Sequence, residues 1–75
     1  MNARPVKRSL TLEGHRTSVS LEDAFWVAFK QIADRKQVPI NKLAAEIDKE
    51  RNDVGLASAI RVFVLRDAQS TAAQK

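Results

Sequence analysis

The run Arg16-Thr-Ser-Val-Ser-Leu-Glu22 leads straight into an amphipathic helical pattern, and its residues fall into two sets of alternating parity. Successive side chains of an extended strand point to opposite faces. Thr17, Val19 and Leu21 therefore share one face, which can bury, while Arg16, Ser18 and Ser20 share the other. The second face presents a cation followed by two small hydroxyls. A strand of this length is not stable alone, so the pattern raises the question of a partner chain.

A second alternating segment lies just upstream. In Val6–Glu13, Val6, Leu10 and Leu12 share one parity and Lys7, Ser9 and Thr11 the other, and Gly14-His15 interrupts the pattern. Ser9-Leu-Thr-Leu-Glu13 and Ser18-Val-Ser-Leu-Glu22 are near copies nine residues apart. Two strands joined by a Gly-containing turn form a hairpin. The alternative, in which the first copy is a flexible arm, remains open at this level. His15, beside Gly14, reads as a turn residue.

Three helices follow. Leu21, Phe25, Ala28, Phe29 and Ile32 lie on one helical face. Ser20 with Asp23 resembles a capping box, and Arg35-Lys36 suits the C-terminal end. Val38-Pro39 breaks the pattern and opens a second helix over about 39–49, with Ile40, Leu43, Ala44 and Ile47 as its stripe. Arg51-Asn52-Asp53 with Gly55 reads as a loop, Asp53 being the expected cap of a third helix that carries Leu56, Ala59, Ile60, Phe63 and Val64. Val62 and Leu65 widen its apolar arc beyond what one small subunit needs to cover. Residues 1–5 read as a disordered arm, 6–67 as the domain and 68–75 as a disordered polar tail.

With 75 residues, this is at most one small domain, and such domains need a staple, a metal or oligomerisation. The chain has no Cys and a single His, which removes disulfides and the usual metal sites. Oligomerisation remains, so a dimer is expected. No stretch approaches a membrane span or a signal peptide, and the default location is the cytoplasm. No Ser, His and acid set, phosphate-cradling Gly loop, cofactor motif or small-molecule site stands out, so no enzyme is expected. The net charge is +4. Residues 1–16 carry +3 and residues 35–51 carry +2, against −2 for the stretch between, a pattern that fits a polyanionic partner.

A polar-faced strand, a helix, a short turn and a second helix with a basic start together resemble the ribbon-helix-helix DNA-binding proteins. The resemblance covers roughly residues 15–50. A closer one is to a small bacterial subfamily carrying Lys7-Arg8-Ser9, Gly14-His15-Arg16-Thr17-Ser18, Leu21-Glu22 and Phe25-Trp26 as they stand here. It implies a mainly α homodimer with a short β-ribbon of intermolecular antiparallel strands, extended here by a C-terminal helix. It also implies sequence-specific binding of double-stranded DNA, as in a bacterial transcriptional repressor, with Arg16, Ser18 and Ser20 contacting bases in the major groove. Ser20 has a competing use as a helix cap.

By the same resemblance, Ile40, Asn41 and Lys42 at the start of the second helix bind a phosphate, although Pro39 there has no amide to donate. Lys7 and Arg8 either grip the flanking phosphates as an arm or stay solvated. Val19, Leu21, Phe25, Phe29, Ile32, Leu43, Ile47, Ile60 and Phe63 are the expected dimer core, and Trp26 packs across the dimer or under the N-terminal segment. A competing reading is a protein-interaction module, such as an antitoxin, whose C-terminal helix holds a protein partner.

Overall fold

The computed structural model describes residues 3–73. Two strands, β1 (Val6–Leu12) and β2 (His15–Leu21), form an antiparallel hairpin, followed by helices α1 (Asp23–Lys36), α2 (Ile40–Glu50) and α3 (Leu56–Ala73). The connection between the strands is two residues, Glu13 and Gly14, with φ of 52° and 85°. Two positive φ values in succession mark a type I′ turn, whose twist matches that of the flanking strands. Gly14 adopts this geometry without strain, and Lys49 of α2 pairs with the Glu13 carboxylate at 3.0 Å.

This ladder decides between hairpin and arm: the first near copy is a strand, and Ser9 pairs with Ser18. Within this chain the strand paired with β2 is β1. A two-residue turn brings a matching strand alongside at very small loop-closure cost, whereas pairing between subunits must first bring two molecules together.

Helix α1 starts at Asp23 with Glu22 as N-cap, and no side chain caps it. Ser20 is held extended in β2 opposite Lys7, so the expected capping use is not made. At the other end Gln37 takes the left-handed conformation, with φ 59°. Its N–H donates to the Asp34 carbonyl, and Val38 N–H donates to that of Ala33, closing the helix in a Schellman-type turn.

Pro39 is the N-cap of α2, where a missing N–H removes no hydrogen bond. Helix α3 begins at Leu56. The Gly55 carbonyl accepts its first bond, from Ala59 N–H at 3.0 Å, so the cap lies two residues beyond Asp53. The helix runs on to Ala73, so 68–73, expected within a disordered tail, are helical; the segment is rich in Ala, the strongest helix former. Met1, Asn2, Gln74 and Lys75, the ends of the expected arm and tail, lie outside the described residues.

The hairpin lays one face on the helices. Leu10, Val19 and Leu21 meet Phe29, Ile32 and Ala33 of α1, Leu43, Ala44 and Ile47 of α2, and Ile60 and Val64 of α3 in one buried cluster. Phe29 is fully buried, with Phe63 edge-on to it at 6.3 Å between centroids. All nine residues expected in a dimer core take part within this single chain, Phe25 and Phe63 being only partly buried.

Two substitutions test this packing by urea unfolding. Phe29→Ala is expected to cost about 3–5 kcal/mol, because it leaves a cavity where α1 meets α3. Gln37→Gly is expected to stabilise by roughly 1 kcal/mol, seen as a higher midpoint at unchanged slope, because Gly removes the left-handed strain.

Candidate nucleic-acid interface

Cross-strand partners share a face of the hairpin. The register pairs Lys7 with Ser20, Ser9 with Ser18 and Thr11 with Arg16. All six are exposed, and together they form the outer face of the ribbon. Arg16, Ser18 and Ser20 therefore stand in a row along β2, at steps of about 6.8 Å. The opposite face, including Leu10, Val19 and Leu21, is committed to the core.

Arg8 behaves differently from its neighbour Lys7. It lies on the inner face, where its guanidinium pairs with the Asp23 carboxylate and sits 5.5 Å from the Trp26 ring centroid. Its side chain is 17% exposed, and its Nε is buried with no hydrogen-bond partner. Arg8 thus ties β1 to the first turn of α1. Trp26 packs beside the N-terminal strand, next to Phe29.

Arg61 of α3 is a second tether, and sequence reasoning missed it. Its Nε donates to Glu22 at 3.0 Å, and its Nη2 donates to the Ser20 carbonyl at 3.1 Å. The guanidinium also lies 5.9 Å from the Phe25 ring centroid. It therefore pins the junction of β2 and α1 from outside. The available signal was an arginine interrupting the apolar run Ala59–Leu65, a position that requires a partner. The hydrogen bond from Arg61 is the main cause holding the Glu22 carboxyl below its ordinary value near 4.5; the backbone amide adds to it and partial desolvation opposes it.

The start of α2 borders the ribbon. Leu43 N–H makes the first helical bond, to the Pro39 carbonyl at 3.1 Å. The amides of Ile40, Asn41 and Lys42 precede it and have no intrahelical acceptor, and Pro39 lies outside that set. The Asn41 side-chain oxygen accepts from Thr11 N–H at 3.0 Å, joining α2 to the free edge of β1. Lys42 is exposed alongside, in a cleft shared with Thr11, Glu13 and Lys49. The geometry thus places three unpaired amides and a cation next to one end of the polar ribbon.

Among the described residues, no group of three or more His, Cys, Asp or Glu side chains could hold a metal, and no helix is long and apolar enough to cross a membrane. On α3, Val62 and Leu65 are 47% and 54% exposed. Val62 lines a groove between α2 and α3, together with Ile47, Val54 and Phe63.

Compared with known families, the chain matches the Ribbon-helix-helix domain over residues 5–68. The chain belongs to this family, whose members are DNA-binding transcription regulators or antitoxins and typically bind DNA as dimers. No curated protein and no solved structure matches it.

The Glu22–Arg61 pair makes a pH-dependent prediction. A carboxylate with a depressed folded pKa stabilises above its ordinary pKa, and that contribution fades as pH falls through the folded value. Wild type should therefore melt above Glu22→Gln at pH 7, and the two melting curves should converge on acidification below about pH 4.5. A gap that stays constant down to pH 3 would show that the pair contributes no ionic stabilisation.

Proposed function

We propose that this chain is a sequence-specific double-stranded DNA-binding protein acting as a homodimeric bacterial transcriptional repressor in the cytoplasm. The observation that carries this reading is the outer face of the hairpin, where Arg16, Ser18 and Ser20 stand exposed in a row above a buried inner face. The major groove admits a two-stranded ribbon of this kind. Arg16 bridges guanine O6 and N7, and the serines donate to or accept from base edges. Ser20 is available for this, since it does not cap α1.

Asn41 and Lys42, with the free amides at the start of α2, anchor a backbone phosphate beside the groove. Lys7, exposed at the far end of the ribbon, adds a second electrostatic contact. Arg8 is left out of this set because its charge is engaged with Asp23. A second copy is accommodated by the apolar surface of α3, where Val62 and Leu65 stay exposed. The same residues favour the second reading, in which α3 holds a protein partner as an antitoxin does.

Binding-site selection from random duplexes, combined with a salt titration, tests the proposal. An enriched motif and a steep salt slope are expected, and their absence would leave the interaction module ahead. Arg16→Ala should relax base preference and cost about 1–3 kcal/mol of binding. Lys42→Ala should weaken all sequences alike and flatten the salt slope by about 1. A sequence-selective loss at Lys42 would contradict the phosphate role.

A further inference from the structure

The two edges of the hairpin differ. Thr11 N–H donates to the Asn41 side chain, and the Ser20 carbonyl accepts from Arg61. Backbone groups of an antiparallel strand turn alternately toward and away from their partner strand. Thr11 opposite Arg16, Ser9 opposite Ser18 and Lys7 opposite Ser20 are therefore the pairs whose N–H and C=O groups point outward. On the β1 edge they meet α2, held alongside by Asn41 and by the Lys49–Glu13 pair. On the β2 edge only the Ser20 carbonyl is engaged among the described residues, and Arg16 and Ser18 are exposed. β2 is thus the side on which this sheet can take a further strand.

That edge suits a second copy of itself. Antiparallel pairing about a two-fold axis at Ser18 sets Arg16 opposite the second copy's Ser20, a donor against a hydroxyl. A register centred on Arg16 instead sets two guanidiniums face to face, and like charges directly opposite are unfavourable. Leu65 lies one helical turn beyond Arg61 on the same side of α3 and is 54% exposed. Apolar surface is therefore present beside the open edge for the second copy to cover.

Resting on the reading that the ribbon enters DNA as a homodimer, we infer that two chains join at their β2 edges in a four-stranded sheet, ordered β1–β2–β2–β1. The inner and outer strands divide the recognition between them. Neighbouring strands lie about 4.8 Å apart, so the two central strands fit a major groove about 12 Å wide. The outer two stand about 14 Å apart and lie over its walls. Arg16, Ser18 and Ser20 of both chains read bases, while Lys7, Ser9 and Thr11 of β1 contact phosphates. Each end row of the sheet runs Lys7, Ser20, then the second copy's Arg16 and Thr11, with one cation on the wall and one in the groove. The site read is a palindrome.

Single cysteines test the sheet in the full chain, which has none of its own. Ser18→Cys places two thiols across the axis, where opposed α-carbons stand about 5.5 Å apart and a disulfide can form. Ser9→Cys, also exposed, places them about 14 Å apart and out of reach. On mild oxidation Ser18→Cys is expected to become a covalent dimer and Ser9→Cys to stay monomeric on a denaturing gel. Equal cross-linking of both, or of neither, would overturn the sheet, and a motif still enriched by wild type would leave the DNA reading standing. The double variant Ser9→Ala, Thr11→Ala is expected to bind selected and random duplexes alike roughly 10-fold more weakly, with base preference kept and circular-dichroism melting unchanged. No loss, or a loss confined to the selected sequence, would overturn the division between inner and outer strands. If wild type enriches no motif while Ser18→Cys still cross-links, the DNA reading fails and the four-stranded sheet stands.

Discussion

The register of β1 against β2 is the constraint on which the rest depends. Side chains alternate with a period of two, so a one-residue slip would carry every residue of a strand to the other face. Leu10 would then leave the core, and Ser9 and Thr11 would enter it without partners. Three features exclude the slip. The Glu13–Gly14 turn permits a single pairing, the Asn41–Thr11 bond fixes β1 against α2, and the Arg8–Asp23 pair fixes it against α1. The outer face is polar because the inner face has no alternative packing.

Helix α3 changes what one chain can do. Ile60 and Val64 close the cluster from below, and Arg61 reaches round to the strand–helix junction. With β1 supplying the second strand and α3 the third helix, one chain covers Phe29 and Leu21 completely. On the outside of α3, Val62 and Leu65 stay uncovered.

The strands and the three helices were legible in the sequence because period-two and helical spacing of apolar residues are local signals. So was the polar set Arg16, Ser18 and Ser20, since parity alone groups it. Other features were hidden for physical reasons. Parity cannot say which chain supplies a partner strand, and both a hairpin and a pair of subunits satisfy it. Ser20 suits both a helix cap and a strand; pairing with Lys7 decides the contest, a contact fixed only by register. Arg8 and Lys7 look alike as adjacent cations, yet opposite parity sends one to Asp23 and the other to solvent. Arg61 acts over 39 residues on Glu22, and no local pattern encodes that distance.

The ion pairs give the surface its electrical character more than its stability. Exposed pairs contribute little to folding, typically below about 1 kcal/mol each. Their placement matters because it removes negative charge around the ribbon. Glu13 at the turn is matched by Lys49, Glu22 by Arg61 and Asp23 by Arg8. Lys7, Arg16 and Lys42 have no ion-pair partner among the described residues, and all three lie exposed on or beside the outer face. Had Arg8 also faced outward, Asp23 would stand unmatched at the base of α1 and offset the added cation. Turning Arg8 inward therefore costs the face one positive charge while screening one negative charge, and it secures the register as well. A modest net charge of +4 is in this way concentrated where a polyanion would approach.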